Sequence, residues 1–493
     1  MLIKNSFLML TVSSLFAGCA VGPDYIPPKL STPNHFYGHD SVGKQETTAD
    51  SHLQVWWEKF GDEQLTHYIA IALEQNLDLV QATTRLAQAK AGLWAANAAL
   101  LPSGGISGQA ARAYQSVETP LGQVLNSSPS FDRYGSSYET NLNASWELDL
   151  FGGLRRDQEA AQAEYQATSA GIAATQLAVA AQTASIYVNI RAIQARLDIA
   201  RKQVETHQQI LDLTNLLYNK GLVPERQVHQ TQAMLAQYQA TVPLMEASLE
   251  TTLNALDVIL GTLPGSHRAE LAAIVPLPLI PKTINMGTPG ELLTRRPDLI
   301  IAERHLAASN AKIGAAIAEY YPKFSLSGLL GSATSISEGN LFGNGANQAA
   351  GILGLRWRLF DFGRIDAQIA QAKGREAEML AAYRLAVLKA TEDVENAFST
   401  LAKREQQTER ISQGVDALQQ ARNASFSAYQ KGIASKLEVL QADESLLRTL
   451  DEETLARAET ITSAIAAFKA LGGGWQADEM KADSSYLYRS QAY

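Results

Sequence analysis

The chain has one cysteine, Cys19, among 493 residues, so it cannot form an internal disulfide. It has no apolar run of twenty residues, which excludes a membrane-spanning helix. Proline and glycine are clustered rather than spread, near 22–33, 101–108, 260–290 and 339–354, and the segments between are long and proline-poor. Aromatic residues make up only 7% of the chain, while alanine and glutamine are plentiful, a balance that suits narrow, closely packed helices more than thick globular cores. The formal net charge of −9 argues against nucleic acid as a partner. The eight histidines include no H-x-x-x-H pair on an expected helix, and His52, His67, His207, His229 and His305 read as surface or packing residues. Gly472 to Gly474 follow a helical pattern and serve to end it, not to cradle phosphate. No carboxylate pair has catalytic spacing, so neither an enzyme nor a bound cofactor or metal is expected.

What the chain does have is a long internal repeat. "LDLVQATTRLAQAKAGLWAANAALLPSGGISG", ending at Gly108, is answered by "PDLIIAERHLAASNAKIGAAIAEYYPKFSLSG", ending at Gly328, with an offset of 220. "WELDLFG" from Trp146 is answered by "WRLFDFG" from Trp357, with an offset of 211 that then holds through Lys220-Gly221 and Lys431-Gly432 to Leu260-Gly261 and Leu471-Gly472. A period this long marks a duplicated domain of helix, hairpin and two long helices, not a short solenoid repeat.

The first eighteen residues read as an export signal. Lys4 precedes the apolar run "FLMLTVSSLFAG", which ends at the small residues Ala17-Gly18 before Cys19. A lone cysteine at that place reads as the acylated N-terminus of the mature chain, a palmitate-type lipid anchor. Ala20 rather than aspartate after it fits sorting to an outer membrane. The expected organisation is an extended arm at 19–59, a first repeat at 60–263, an equatorial connection at 264–290, a second repeat at 291–474 and a polar tail at 475–493.

Within the first repeat, a helix is expected from Gln64 to Leu100, a β-hairpin over 104–150 and a helical hairpin over 154–260. The strand ending at Leu150 alternates cleanly. Tyr138, Leu142, Ala144, Trp146 and Leu148 share one face, and Glu139, Asn141, Asn143, Ser145 and Glu147 share the other. The second repeat gives a hairpin over 324–361, with Leu353, Leu355, Trp357 and Leu359 on the apolar face and Arg356 and Arg358 opposite, then a helical hairpin over 364–471. From Leu154 to Tyr218 no proline occurs in 65 residues, which as helix is a rod of roughly 95 Å. Rods of that length need one another along their sides, as in a coiled-coil assembly.

Four strands per chain cannot close a barrel, and open edges are not tolerated in lipid. Two copies would supply eight strands and three would supply twelve. Twelve strands match twelve helical passes around a wide bore, which favours three. The fold class expected is therefore a membrane β-barrel continued by a long α-helical barrel, internally duplicated, in a homotrimer with a 12-stranded barrel. Trp146 and Trp357 are its expected lipid-facing strand residues.

Several motifs then carry a resemblance. "GCAVGPDYIPP" at 18–28, "LFGGLRR" at 150–156, "RRPDL" at 295–299, "LFDFGR" at 359–364, the Y-x-K-G turns and "ALGGGW" at 470–475 resemble the outer membrane factors of Gram-negative tripartite efflux systems, closest to the NodT and OprM-like lipoprotein branch with its TolC-like fold. The likeness covers essentially the whole mature chain. It implies a trimeric exit duct for drugs or toxic compounds in the outer membrane, extending into the periplasm. Its implied partners are a periplasmic adaptor (membrane fusion) protein and an inner-membrane pump of RND, MFS or ABC type. A type I protein-secretion duct is the alternative use of the same architecture, and a lipid-anchored adhesive stalk is disfavoured by the clean strand faces.

The resemblance also assigns candidate sites. The turns at Gly221, Leu222 and Val223 and at Gly432 and Ile433 would meet the adaptor. Leu437, Glu438 and Gln441 would line the periplasmic gate, with Gln441 standing where relatives carry aspartate and Asp443 as an extra acid. Glu225, Arg226, Gln227 and Lys436 are candidates for the polar ties that hold the gate shut.

Overall fold

The computed structural model describes residues 20–29, 36, 53–281, 289–335 and 340–475. Cys19 and its expected acylation lie outside the described residues, as do most of the 19–59 arm and the tail beyond Trp475.

The chain forms nine helices of seven or more residues and four strands among those residues, and the bounds repeat. The first copy contains α1 (Glu63–Gln75), α2 (Leu77–Ala98), β1 (Ser103–Tyr114), α3 (Pro120–Asn126), β2 (Tyr134–Leu148), α4 (Gly153–Asn219) and α5 (Glu225–Ile259). The second contains α6 (Pro289–Arg295), α7 (Pro297–Ala318), β3 (Lys323–Thr334), β4 (Asn347–Arg356), α8 (Arg364–Gln430) and α9 (Lys436–Ala470). Both limits of α7 and β3 lie 220 residues beyond those of α2 and β1, and both limits of α8 and α9 lie 211 beyond those of α4 and α5. The change of offset falls in the hairpin connections, where the first copy inserts α3. Each long helix has 67 residues, about 100 Å of rod. Pro243 lies inside α5 without ending it.

The helix expected from Gln64 to Leu100 is two helices. Asn76 sits between α1 and α2 with extended backbone, and its side-chain oxygen accepts the Asp78 and Leu79 N–H groups at 2.9 and 3.2 Å. Its amide in turn donates to the Ile259 carbonyl at 2.8 Å. An asparagine that caps the next helix satisfies the donors that a break exposes.

By internal contacts the chain divides into two compact units. One gathers the arm residues before Lys29 with Ala87–Ala167 and Glu303–Ala382. Its sheet runs β1-β2-β3-β4, antiparallel throughout, with β1 and β4 as edges. Small side chains set its helical packing: Ala160, Ala163, Ala307, Ala308 and Ala311 form a buried cluster with Tyr25 against it.

The arm is pinned to this unit by Arg156. Its buried guanidinium donates to the Val21 carbonyl at 3.1 Å, the Gly22 carbonyl at 3.3 Å and Asp24 at 2.8 Å. Gly22 has φ +94°, and a Cβ there would stand 2.4 Å from the Gly314 Cα. Both glycines are thus required by close backbone approach.

The other unit gathers Lys29–Leu86, Thr168–Ala302 and the chain from Tyr383. The expected extended arm contains a short 3-10 helix here, Trp56–Phe60, and it is core: Trp56 is fully buried and stacks on Phe468 with centroids 5.4 Å apart. The glycines of 472–474 wrap this aromatic cluster. A Cβ on Gly473 would meet the Leu53 carbonyl at 2.9 Å, and Gly474 N–H donates to that carbonyl at 2.7 Å. The RRPDL arginine, Arg296, is a structural knot, bonding Asp298 at 2.8 Å, Asp393 at 2.9 Å and the Ala470 carbonyl at 3.1 Å.

Candidate functional site

The two helical hairpins turn by the same device. Gly221 N–H donates to the Tyr218 carbonyl at 2.8 Å and Leu222 N–H to the Leu217 carbonyl at 2.9 Å. Gly432 repeats this with Tyr429 at 2.9 Å, and Ile433 with Ala428 at 2.9 Å. These are Schellman-type closures that need a left-handed residue, and the two glycines have φ of +70° and +73°. The closure leaves apolar tips uncovered. Leu222 is 70% exposed and Ile433 79% exposed, while Val223 is half-buried.

Past the turns the copies differ. The first return helix starts after Pro224 with no side-chain cap. The second starts with a capping box, in which the Ser435 hydroxyl accepts the Glu438 N–H and the Glu438 carboxylate accepts the Ser435 N–H, each at 3.2 Å. The signal S-x-x-E was present in the sequence, at Ser435 and Glu438, and defines this motif. Glu438 therefore has a local role in ending the turn. Glu438 and Gln441 are exposed and Leu437 is half-buried, whereas Val439 and Leu440 are buried. The candidate gate residues thus lie on the uncovered side of α9.

The four candidate ties are also placed. Glu225 lies 3.6 Å from His229 one turn on. The Gln227 N–H donates to the Pro224 carbonyl at 3.0 Å as α5 begins. Arg226 and Lys436 are exposed and form no ion pair among the described residues. Asp443 is not available as a further acid, because Arg422 holds it at 2.6 Å. Farther along the hairpins His207 is buried, stacks on Tyr238 at 4.1 Å and lies 3.8 Å from Glu444. Burial pulls its pKa down, and Glu444 opposes this more weakly.

The sheet separates its faces by register. Ile106, Leu142, Leu330 and Ala349 stand side by side across the four strands, as do Trp146, Leu326 and Leu353, then Leu148, Phe324 and Leu355. Most of these side chains are exposed, including Ile106, Leu142, Leu326, Leu330, Leu353 and Leu355. On the opposite face Gln348 donates to Asn141 at 2.7 Å and to Glu139 at 3.1 Å, and Asn143 donates to Ser107 at 2.8 Å. Leu329 and Ile352 are apolar exceptions on that polar face.

Trp146 belongs to the apolar row, but Trp357 does not belong to a strand. β4 ends at Arg356, so Trp357 and Leu359, expected as strand residues, lie beyond it. The reason is the following turn, in which Phe362 has φ +55° and Gly363 φ +84°. The two tryptophans nevertheless do the same thing. Each donates its indole N–H to the carbonyl of the second residue after a helix, in the link to the next strand, Trp146 to Leu100 at 2.8 Å and Trp357 to Tyr320 at 2.9 Å.

Among the described residues no group of three or more His, Cys, Asp or Glu side chains could hold a metal, and no helix is long and apolar enough to cross a membrane.

Comparison with known proteins agrees with this architecture. The family model described as outer membrane efflux protein matches residues 68–262 and 288–473. Nodulation protein T of Rhizobium leguminosarum bv. trifolii is 30% identical over 447 residues, covering 90% of this chain and 92% of that protein. The pyoverdine export outer membrane protein OpmQ of Pseudomonas putida is 31% identical over 462 residues, covering 92% and 94%. The solved outer-membrane channel OprN superposes with a TM-score of 0.80 at 30% identity, over 93% of this chain and all of that one. The CmeC channel of Campylobacter jejuni, at 21% identity and a TM-score of 0.82, shares the fold. Two repeats with bounds in register, an exposed apolar sheet face and these matches place the chain in the outer membrane efflux protein family, as an outer-membrane component of efflux that extends into the periplasm.

Proposed function

We propose that three copies of this chain close a twelve-stranded barrel in the outer membrane and continue it as an α-helical duct, through which small molecules leave passively. The observation that carries this reading is the sheet. It has four strands, two open edges and an apolar face left exposed, so an isolated copy could not sit in lipid. Closure by three copies removes every edge, turns the apolar rows outward and encloses the Glu139, Asn141 and Gln348 face. An acylated Cys19 would add an anchor to a barrel that already crosses the membrane, with the arm residues after it held by Arg156.

At the other end, the turns at Gly221 and Gly432 present Leu222 and Ile433 to the helical hairpins of a periplasmic adaptor, and an inner-membrane pump supplies the energy. Glu438 and Gln441 face the threefold axis in the resting state, with Leu437 beside them. Arg226 and Lys436, which form no ion pair among the described residues, form the ties between copies that hold the entrance closed.

Native mass spectrometry of the protein extracted from outer membranes tests the assembly. A trimer is expected, and a monomer or dimer that conducts ions would overturn the reading.

A further inference from the structure

The two copies differ in charge at the base of the sheet. Register pairs Lys323 with Arg356 and, one step along, Phe324 with Leu355. Since Phe324 and Leu355 belong to the apolar face, Lys323 and Arg356 belong to the polar one. Glu147 shares that face, 4.0 Å from the Lys323 ammonium. Glu319, the first residue after α7, pairs with Lys323 and takes Arg358 at 2.5 Å. Arg356 is exposed and forms no ion pair among the described residues. The cluster thus has three cations against two carboxylates.

The duplication supplies an internal control. The residues that answer Lys323, Arg356 and Arg358 are Ser103, Ser145 and Glu147, and Ala99 answers Glu319. The first copy builds its half of the same sheet with serines where the second places Lys323 and Arg356. The fold does not need those charges.

We propose that Lys323, Arg356 and Arg358 form a basic ring at the base of the barrel that draws anionic small molecules, such as carboxylates and phosphates, into the last part of the duct. The proposal rests on the trimeric duct described above, in which the polar face lines the bore. Three copies bring the surplus cations to one level of a bore with low-dielectric walls, where a field of one sign concentrates counter-ions. The ring is opposite in sign to the Glu438 position at the entrance. Anions that the pump has driven past the entrance would therefore gain attraction toward the exit.

Full-length protein inserted in planar bilayers at low salt tests this, with sodium tripolyphosphate added on the barrel side so that it reaches the ring before the entrance. Wild-type conductance should be blocked. Arg356→Ser, which copies the first repeat, should raise the half-blocking concentration at least about tenfold, Arg356→Lys should restore it, and Ser145→Arg should lower it below wild type. Conducting channels whose block is absent, or is unchanged by Arg356→Ser and Ser145→Arg, would overturn the ring and leave the duct standing. A wild-type trimer that conducts nothing, and that stays non-conducting when Arg226→Ala and Lys436→Ala release the closed entrance, would overturn the duct and the ring together.

Discussion

Ser435 and Glu438 bond each other reciprocally across the first turn of α9, each backbone N–H donating to the other's side-chain oxygen at 3.2 Å. The carboxylate that the entrance would use as a charge is therefore also part of a helix cap. Substitution can separate the two roles, because glutamine preserves the capping box and removes the charge. Glu438→Gln should lower cation selectivity with little loss of thermal stability. Glu438→Ala should lower selectivity as much and also lose about 1 kcal/mol per chain, as Ser435→Ala should without a change of charge. Reversal potentials at low salt, set beside thermal unfolding, check both halves. If selectivity is unchanged in Glu438→Gln, Glu438 serves the cap alone. Gln441→Asp should add a second acidic ring and raise cation selectivity.

The strand faces make the second prediction. Trp146→Arg puts a charge in the row of Leu326 and Leu353 and should cost about 2–4 kcal/mol per chain at mid-membrane, less near an interface. Trimer yield in outer membranes should fall. Glu147→Arg lies on the opposite face and should assemble while shifting conductance toward anions. Trp146→Phe should cost only about 1 kcal/mol, the loss of the indole bond to the Leu100 carbonyl. Equal trimer yields from Trp146→Arg and Glu147→Arg would show the faces to be wrongly assigned.

The third prediction concerns the arm. Arg156→Ala leaves the Val21 and Gly22 carbonyls without their donor, and residues 20–25 should exchange amide hydrogen faster, with a local loss of about 1–3 kcal/mol. Gly22→Ala should free the arm more completely, because its Cβ would collide with the Gly314 backbone. Hydrogen exchange followed by mass spectrometry separates the arm from the helices. Protection unchanged in both variants would mean that the arm is held elsewhere.

Much of this was legible in the sequence because a duplication prints its own alignment. The turns at Gly221 and Gly432, the 67-residue rods and the alternation before Leu150 all follow from offsets and periods. What escaped depends on single side chains acting against a pattern. The pattern around Asn76 continues as one helix, but its amide caps α2 and starts the chain afresh. Trp357 and Leu359 extend a period of two, yet the Phe362-Gly363 turn takes the chain off the sheet first. Trp56 reads as part of an extended arm in the sequence because its stacking partner, Phe468, lies more than 400 residues away. The capping box at Ser435 is legible from its S-x-x-E spacing alone, and it gives Glu438 a local role beside the one that the resemblance implies.

The last prediction comes from His207, buried between Tyr238 and Glu444, with neither ring nitrogen in a hydrogen bond among the described residues. Burial holds its pKa below the ordinary value, and the nearby Glu444 offsets only part of that. The folded chain therefore binds this proton less readily than the unfolded chain does. The sign follows from linkage: stability from keeping the ring neutral is present above the unfolded value of about 6.5, and is lost as pH falls through it toward the folded value. The region that loosens in acid is the helical hairpins, since His207 is on α4, Tyr238 on α5 and Glu444 on α9. His207→Phe keeps an aromatic ring against Tyr238 and has no proton to bind, so it should flatten the pH dependence without lowering stability at pH 7.5. Glu444→Gln removes the one nearby charge that favours the protonated ring and should steepen the loss. Thermal unfolding of the trimer between pH 7.5 and 5.5 gives the comparison. A wild-type profile matching that of His207→Phe across this range would mean that the ring is neutral or charged alike in both states, and that acid acts on the hairpins through other groups.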